Sequence, residues 1–460
     1  MDGRQDMRQP QQGSGWSDSN NSTRQNSAQW DDRYQQVQPQ QMQQQRPLQP
    51  QQYSQQPHNI AITPIMEKGD HAGGHHDDHH GPGHIDINDP NRPKLSFKKR
   101  LHHFTWAWYT LVMSTGGLAL LIFAQPHTFP GLKQIGAGVY AFNIVLFALV
   151  TSMLIARFAL YPGDIGASIK HEREGFFLPT FFLSVSTLIT TTERYVVPAN
   201  NDTMIWGIQV AFYFYVFATI SLALGQYSYV FQGKSFTLQT MMPTWILPIF
   251  PIMLSGTIAS VIAEKQPDAM AIPIIVAGLT CQGLGLSVAV LMYAHMIGRL
   301  MQFGLPNREH RPGLFMNVGP PSFTALALIG MSKGLPNTLD IDGDGLLIDA
   351  GMIRTMALIA AVFLWALSFW WFGIATIAVL HSTPVYFHLG WWAMVFPNTG
   401  FVLATVSIGN SLQNDAVLWV GTGMSICLVL MYFFVLYHHV RAFIIQDIMY
   451  PGRDEDFNDH

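Results

Sequence analysis

The sequence is short of charge. Of its 460 residues only 12% are Asp, Glu, Lys or Arg, against roughly 25% in an ordinary soluble protein. A chain of this length with so few charges cannot clothe a large water-facing surface, which argues against a soluble enzyme or a nucleic-acid binder. Cysteine is scarce too: Cys281 and Cys427 are the only two, and both fall in apolar runs. That excludes a disulfide framework and gives no basis for thiol chemistry. There is no nucleophile elbow, phosphate-binding loop or zinc-protease signature, so no catalytic residue, no cofactor and no enzyme activity are indicated. The first residues lack an apolar core, so no cleavable signal peptide is expected.

What is present is apolar, at 49% of the chain, and it is unevenly placed. Residues 1–90 are dominated by Gln, Ser, Asn and Pro. They cannot bury enough apolar surface to offset the entropy of ordering, and are expected to form a disordered cytoplasmic tail. His71, His75, His76, His79, His80 and His84 crowd its end beside Asp77 and Asp78. Such a cluster can hold zinc, nickel or copper weakly, but it reads as a solvated run. Further on, Asp340, Asp342, Asp344 and Gly345 begin like a calcium loop, yet the twelfth position is Gly351 where a glutamate ligand is needed. No metal site is assigned.

Ten apolar segments fill the rest: 104–124, 136–160, 176–196, 204–227, 243–263, 271–297, 313–333, 354–380, 389–410 and 416–438. Each is close to the roughly 20 residues that carry a helix across about 30 Å of hydrocarbon. The expectation is an all-α membrane protein, with a ten-helix domain over 91–445 in the lipid bilayer and a short cytoplasmic tail over 446–460. An even number of spans puts both termini on one side, and lysine and arginine decide which. With cytoplasmic termini, Lys94, Lys98, Lys99, Arg100, Arg157, Lys170, Arg173, Lys234, Arg299, Arg308, Arg311 and Arg441 lie inside. Only Lys133, Arg194, Lys265, Lys333 and Arg354 lie outside, so twelve against five favours that orientation. The sequon at Asn201 then falls in an outside loop. Arg157 and Arg299, at the ends of spans two and six, are expected to snorkel to lipid headgroups. Glu193 and Arg194 close span three at the outer interface, where they can pair. The tryptophans Trp365, Trp370, Trp371, Trp391 and Trp392 suit interfacial belts or helix packing.

Proline divides the spans into two kinds. Spans two, four, eight and ten have none, and span six has only Pro273 near its start. The odd spans are different: STGG over 114–117, a hydroxyl-rich run over 184–192, Pro243, Pro248 and Pro251, GPPS over 319–322, and PNTG over 397–400. Interior prolines remove helix hydrogen bonds, and in lipid such breaks are acceptable only where they are buried in protein or line a wet cavity. The alternation predicts five helical hairpins around a central pore lined by the odd-numbered helices. No charged residue sits at the middle of those helices, whereas a cation path usually shows carboxylates. Hydroxyls, one amide and backbone N–H groups at helix starts would favour an anion. The candidate path residues are Ser114, Thr115, Gly116, Ser186, Pro248, Pro251, Gly319, Pro320, Ser322, Asn398 and Thr399.

Several stretches carry a likeness: 103–108 (HFTWAW) with 114–117, 243–251 (PTWILPIFP), 311–323 (RPGLFMNVGPPSF), 396–401 (FPNTGF) and the tail 450–456 (YPGRDED). From Leu101 to Asp456 the chain resembles the tellurite-resistance/dicarboxylate transporter family, which includes plant slow anion channels. Within it, the likeness is greatest to fungal malic acid transport proteins, the C4-dicarboxylate permeases. The resemblance implies ten helices around a pore, a homo-oligomer (a trimer) with one pore per subunit, and a phenylalanine gate in the ninth helix. That position falls on Phe396, whose alternative is ordinary core or lipid packing. The implied substrates are malate, succinate and fumarate, carried across the plasma membrane, with proton coupling as an expectation. Sulfite efflux and a gated anion channel are the alternatives within the same family. His103 lies at the cytoplasmic mouth, either to shuttle protons or meet anions, or as an interfacial anchor.

Overall fold

The computed structural model describes residues 93–171, 173–233, 237–336 and 350–451. The tail 1–90 with its histidines, the residues Asp340, Asp342 and Asp344, and the stretch 452–460 lie outside the described residues. Ten helices are long and apolar enough to cross a bilayer. They are α1 (Trp106–Phe123), α2 (Leu132–Leu160), α3 (Glu174–Tyr195), α4 (Asp202–Gln232), α5 (Pro243–Lys265), α6 (Asp268–Phe303), α7 (Arg308–Lys333), α8 (Ala350–His381), α9 (Leu389–Leu412) and α10 (Asp415–Ile445). Among the described residues there is no strand. This is an all-α, multi-pass membrane protein.

The ten helices coincide with the ten apolar segments, but the even ones run well past them. α6 has 36 residues, about 54 Å at 1.5 Å per residue, which exceeds the roughly 40–45 Å between headgroup layers. An apolar window stops at the first charged or amide residue; a helix does not. Two of these extensions are capped by asparagine. Asn201 Oδ1 accepts from the Met204 N–H at 3.1 Å, and Asn414 Oδ1 from the Val417 N–H at 3.2 Å. The sequon residue Asn201 therefore starts α4. The early start of α6 also places Pro273 inside the helix rather than at its first turn.

The odd helices form a closed inner ring. α1 packs on α3, α3 on α5, α5 on α7, α7 on α9, and α9 back on α1. Each even helix packs on the odd partner of its own hairpin and also touches the next odd helix. Burial follows this division. Between 67% and 94% of the apolar window is buried in the odd helices, against 17% to 39% in the even ones. The even helices turn side chains such as Phe214, Phe217, Phe363 and Ile377 outward. Large exposed apolar belts of this kind are stable against lipid, not water.

Every odd helix changes its winding near its start. Short 3₁₀ turns occupy Trp106–Trp108, Pro243–Ile249, Arg308–Val318 and Leu389–Met394, and α3 opens with one short α-turn, Glu174–Phe177. The α-helical portions then begin at Tyr109, Pro179, Phe250, Gly319 and Phe396, with proline in the first two positions of the last four. Proline is well suited there, because those N–H groups have no partner inside the helix. The residue before the proline restores the bonding by reaching back three residues. Leu178 donates to the Gly175 carbonyl, Phe250 to Leu247 and Gly319 to Met316. The break is thus a continuous change of pitch with no unwound gap. Fewer backbone donors are set free than the proline pattern alone suggests.

Two basic side chains depart from expectation. Arg157 and Arg299 are each 7% exposed and do not reach lipid headgroups. Arg157 Nη1 donates to Glu174 at 2.6 Å and to the Phe104 carbonyl at 2.7 Å, and Nε lies 3.5 Å from Asp164. Arg299 donates to the Gly304 carbonyl. Glu193 and Arg194 likewise do not pair with each other: Glu193 meets Lys265 and Arg194 meets Glu264, each at 3.2 Å, tying α3 to α5. For the buried Arg157, Arg299 and Glu193 these bonds replace the water the charge gives up.

Candidate functional site

The ring encloses two levels of space, each lined by all five odd helices. The deeper chamber is bounded by Gly117 and Leu120 of α1, Ser186, Thr187 and Thr190 of α3, and Leu254, Thr257 and Ile258 of α5. Phe323 of α7 and Phe396 and Thr399 of α9 complete it. Its volume is about 20 Å³, room for about one water. Beyond it, toward the C-terminal ends of the odd helices, a vestibule of about 480 Å³ opens; Leu120 belongs to both.

Two phenylalanines, Phe323 and Phe396, line the chamber, and Phe250 packs against both. Phe396 stacks on Phe323 with ring centroids 5.2 Å apart and lies 6.2 Å from Phe250; Phe250 and Phe323 are 5.9 Å apart. Phe396 is 1% exposed. Glycines leave the room these rings occupy. A Cβ on Gly319 would fall 2.4 Å from Phe250 Cζ, and one on Gly400 would fall 2.7 Å from the Phe323 ring. The resemblance points to Phe396 and not to Phe250 or Phe323. Their signal was weak, because a phenylalanine in an apolar run is ordinarily core packing.

Of the other candidate path residues, the chamber brings together Ser186 and Thr399. Thr115 hydrogen-bonds Tyr432 of α10 at 2.9 Å and so faces outward. Gly116 is packed against Thr187 and Asn143, and its neighbour Gly117 lines the chamber instead. One residue turns a helix by 100°, and the STGG run did not reveal which member faces the axis. Pro251 offers its carbonyl to Tyr215 of α4. Ser322 donates to the Val318 and Gly319 carbonyls, and Pro320 accepts from Thr324. Ser114, Pro248, Gly319 and Asn398 are buried in the helix packing around the breaks.

Most hydroxyl protons on the ring are committed. Thr187 donates to the Ser184 carbonyl, Thr190 to Ser186, Ser186 to Leu183, and Thr399 to Val395. This back-bonding within the helix turns lone pairs rather than protons toward the chamber. Thr257 is different: its Oγ1 is buried, lines the chamber and has no partner among the described residues. Two amides from the outer helices also reach inward through glycine notches. Asn143 of α2 is fully buried beside Gly116, and Gln282 of α6 lies beside Gly256 with its Nε2 on Thr324. Both stand out in the sequence as lone amides in otherwise apolar even spans.

The N-terminal mouth of the ring is built from ionic ties. Glu174, Ser168 and Trp106 extend the Arg157 cluster, with Ser168 donating to Glu174 at 2.7 Å and Trp106 Nε1 to Ser168 at 2.8 Å. His103 is half-buried in the turn before α1, edge-on to His102, which pairs with Asp164 at 3.1 Å. Glu309 receives the Val385 and Tyr386 N–H groups at 3.1–3.2 Å, joining the start of α7 to the approach of α9. The adjacent His388 ring nitrogen bonds the Glu309 carbonyl. Burial, with His310 adding to it, pulls the His388 imidazole down to about 4.

A closed ring of ten paired membrane helices, with an aromatic constriction on its axis and no charged side chain in the chamber, defines a channel or carrier. The family model for voltage-dependent anion channels matches residues 103–440, and the chain belongs to that family. Its relatives include the malic acid transport protein of Schizosaccharomyces pombe, 35% identical over 79% of this chain and 84% of that protein. A putative malic acid transport protein of the same organism is 30% identical over 80% of this chain and 86% of its own length. The sulfite efflux pump SSU1 of Arthroderma otae is 26% identical over 73% and 89%. These relatives are transport proteins, not enzymes.

Proposed function

We propose that this protein carries C4-dicarboxylates (malate, succinate and fumarate) along the ring axis across the plasma membrane, with both termini cytoplasmic. The observation that carries the substrate class is the 35% identity to a malic acid transport protein over most of both chains. The chamber lining lacks the carboxylates a cation path usually shows, and the Thr257 hydroxyl, without a partner among the described residues, is the proton it can offer an anion. The twelve-to-five distribution of basic residues supports the orientation.

The gate is Phe396. At about 20 Å³ the chamber does not admit a dicarboxylate, so transport requires the Phe396 ring to move. It sits at the first α-helical position of α9, beside Pro397, where the change of pitch gives it freedom to swing. Proton coupling is part of this reading: malate changes charge near pH 4 to 5, by analogy with carboxylate side chains. Each subunit of a trimer holds its own path. Sulfite efflux is the second reading, favoured by the 26% identity to a sulfite pump.

The test is uptake of labelled malate at pH 4 and pH 7 in yeast cells lacking their own carrier, with and without this protein. Protein-dependent uptake that excess succinate suppresses supports the proposal, and stronger uptake at pH 4 supports coupling to protons or entry of the monoanion. Absence of uptake with the protein at the cell surface overturns the dicarboxylate reading.

A further inference from the structure

The vestibule at the C-terminal mouth carries charge that the chamber does not. Two cations line it, Arg194 at the end of α3 and Lys333 at the end of α7, with one carboxylate, Glu264 at the end of α5. Arg194 is ion-paired to Glu264 at 3.2 Å. Among the described residues Lys333 makes no hydrogen bond and no ion pair, although the charges of Glu264 and Arg354 act on it. Ser407 and Asn410 of α9 add polar groups to the wall.

Helix dipoles explain part of this. The C-terminal ends of the odd helices bring partial negative charge to this mouth, and a cation in a last turn offsets it. Glu264 has the opposite sign for that position, so the dipole does not account for it. Its place against Arg194 has another reading. A carboxylate holds the guanidinium fork in the geometry that a second carboxylate would use. Glu264 is also loosely held, with its side chain 66% exposed. An arriving carboxylate can displace it at small cost, because an exposed ion pair contributes little.

We infer that this vestibule is a capture site for small dianions, held by Lys333 and by Arg194 once Arg194 exchanges Glu264 for the ligand. The inference rests on the proposed reading of the axis as an anion path. The site concentrates dianion above the phenylalanine constriction, and Glu264 returning to Arg194 releases it.

The test is flux in liposomes sorted for orientation by a tag on the N-terminal tail, with malate presented to one mouth at a time at pH 7. Lys333→Gln should raise the half-saturating malate concentration about fivefold when malate meets the C-terminal mouth. Half-saturation and maximal flux from the other mouth should stay unchanged; because flux per unit malate at low concentration must be equal from the two mouths, maximal flux from the C-terminal mouth should rise together with its half-saturating value. Lys333→Arg should restore the native value, and Glu264→Gln should lower it. A Lys333→Gln value unchanged at the C-terminal mouth, or shifted equally at both mouths, overturns the capture site; so does a rise on Glu264→Gln. If the native protein carries sulfite but not malate, the dicarboxylate reading falls. The same variants titrated with sulfite then test the site by the same criteria.

Discussion

Replacing Phe396 by alanine should open the path. In the closed ring Phe396 stacks on Phe323 and touches Phe250. Aromatic contacts of this kind contribute about 0.5–1.5 kcal/mol each beyond area burial, so leaving both costs about 1–3 kcal/mol. At a factor of ten per 1.4 kcal/mol, the closed state is favoured by about 5- to 150-fold through this ring alone. Phe396→Ala removes that preference, and flux per molecule should rise by up to the same factor. The substitution also empties a fully buried site, at about 3–5 kcal/mol of stability. Flux must therefore be normalised to folded protein, measured by monodisperse elution in detergent. Phe396→Leu, which refills part of the space, should fall between the two. Anion efflux from liposomes is the assay. Unchanged flux per folded molecule in Phe396→Ala removes this ring from the gate; unchanged flux there with a rise in Phe323→Ala assigns the gate to Phe323.

Three further outcomes follow from the packing. Arg157→Met leaves Glu174 buried without its partner and should cost about 3–5 kcal/mol, read as a lower Tm; adding Glu174→Leu should recover most of it, and a double variant as unstable as the single refutes the pairing. Gly400→Ala places a Cβ 2.7 Å from the Phe323 ring and should destabilise by about 1–3 kcal/mol through overpacking, again read as Tm. His388, held down at about 4 in the fold against about 6.5 when unfolded, binds fewer protons folded than unfolded between those values. Its contribution is therefore intact above pH 6.5 and lost as pH falls toward 4, by at most about 2–3 kcal/mol given its partial solvent contact. The fall in Tm from pH 6.5 to pH 4 should be smaller in His388→Gln, and an equal fall in both proteins refutes the assignment.

The membrane architecture was legible because bilayer physics acts on residue type. Low charge, ten apolar runs and proline concentrated in alternate spans each follow from a direct energetic penalty, and together they anticipate the inner ring and the outer belt. The path was less legible because it depends on rotation about helix axes. Thr115 and Gly116 sit two residues and one residue before Gly117, yet only Gly117 faces the chamber. In a helix with polar and small residues on several faces, composition does not give that angle. The buried fate of Arg157 was hidden for another reason. Its partner Glu174 lies 17 residues away on the next span, and an arginine at a helix end reads the same whether it meets lipid or a carboxylate. Asn143 and Gln282 show the opposite case. Neither is among the candidate residues read from the sequence, but a lone amide in an apolar span is a usable signal, since such a group is costly against lipid and both are buried against the inner ring.

The central claim is that the ring axis carries C4-dicarboxylates, and purified protein in sealed liposomes tests it with nothing else present. Labelled malate and labelled sulfite are offered separately at equal concentration, and protein-dependent accumulation of each is followed. The account predicts saturable malate accumulation that succinate and fumarate suppress, exceeding that of sulfite. Sulfite accumulation without malate accumulation, from the same preparation, would contradict it.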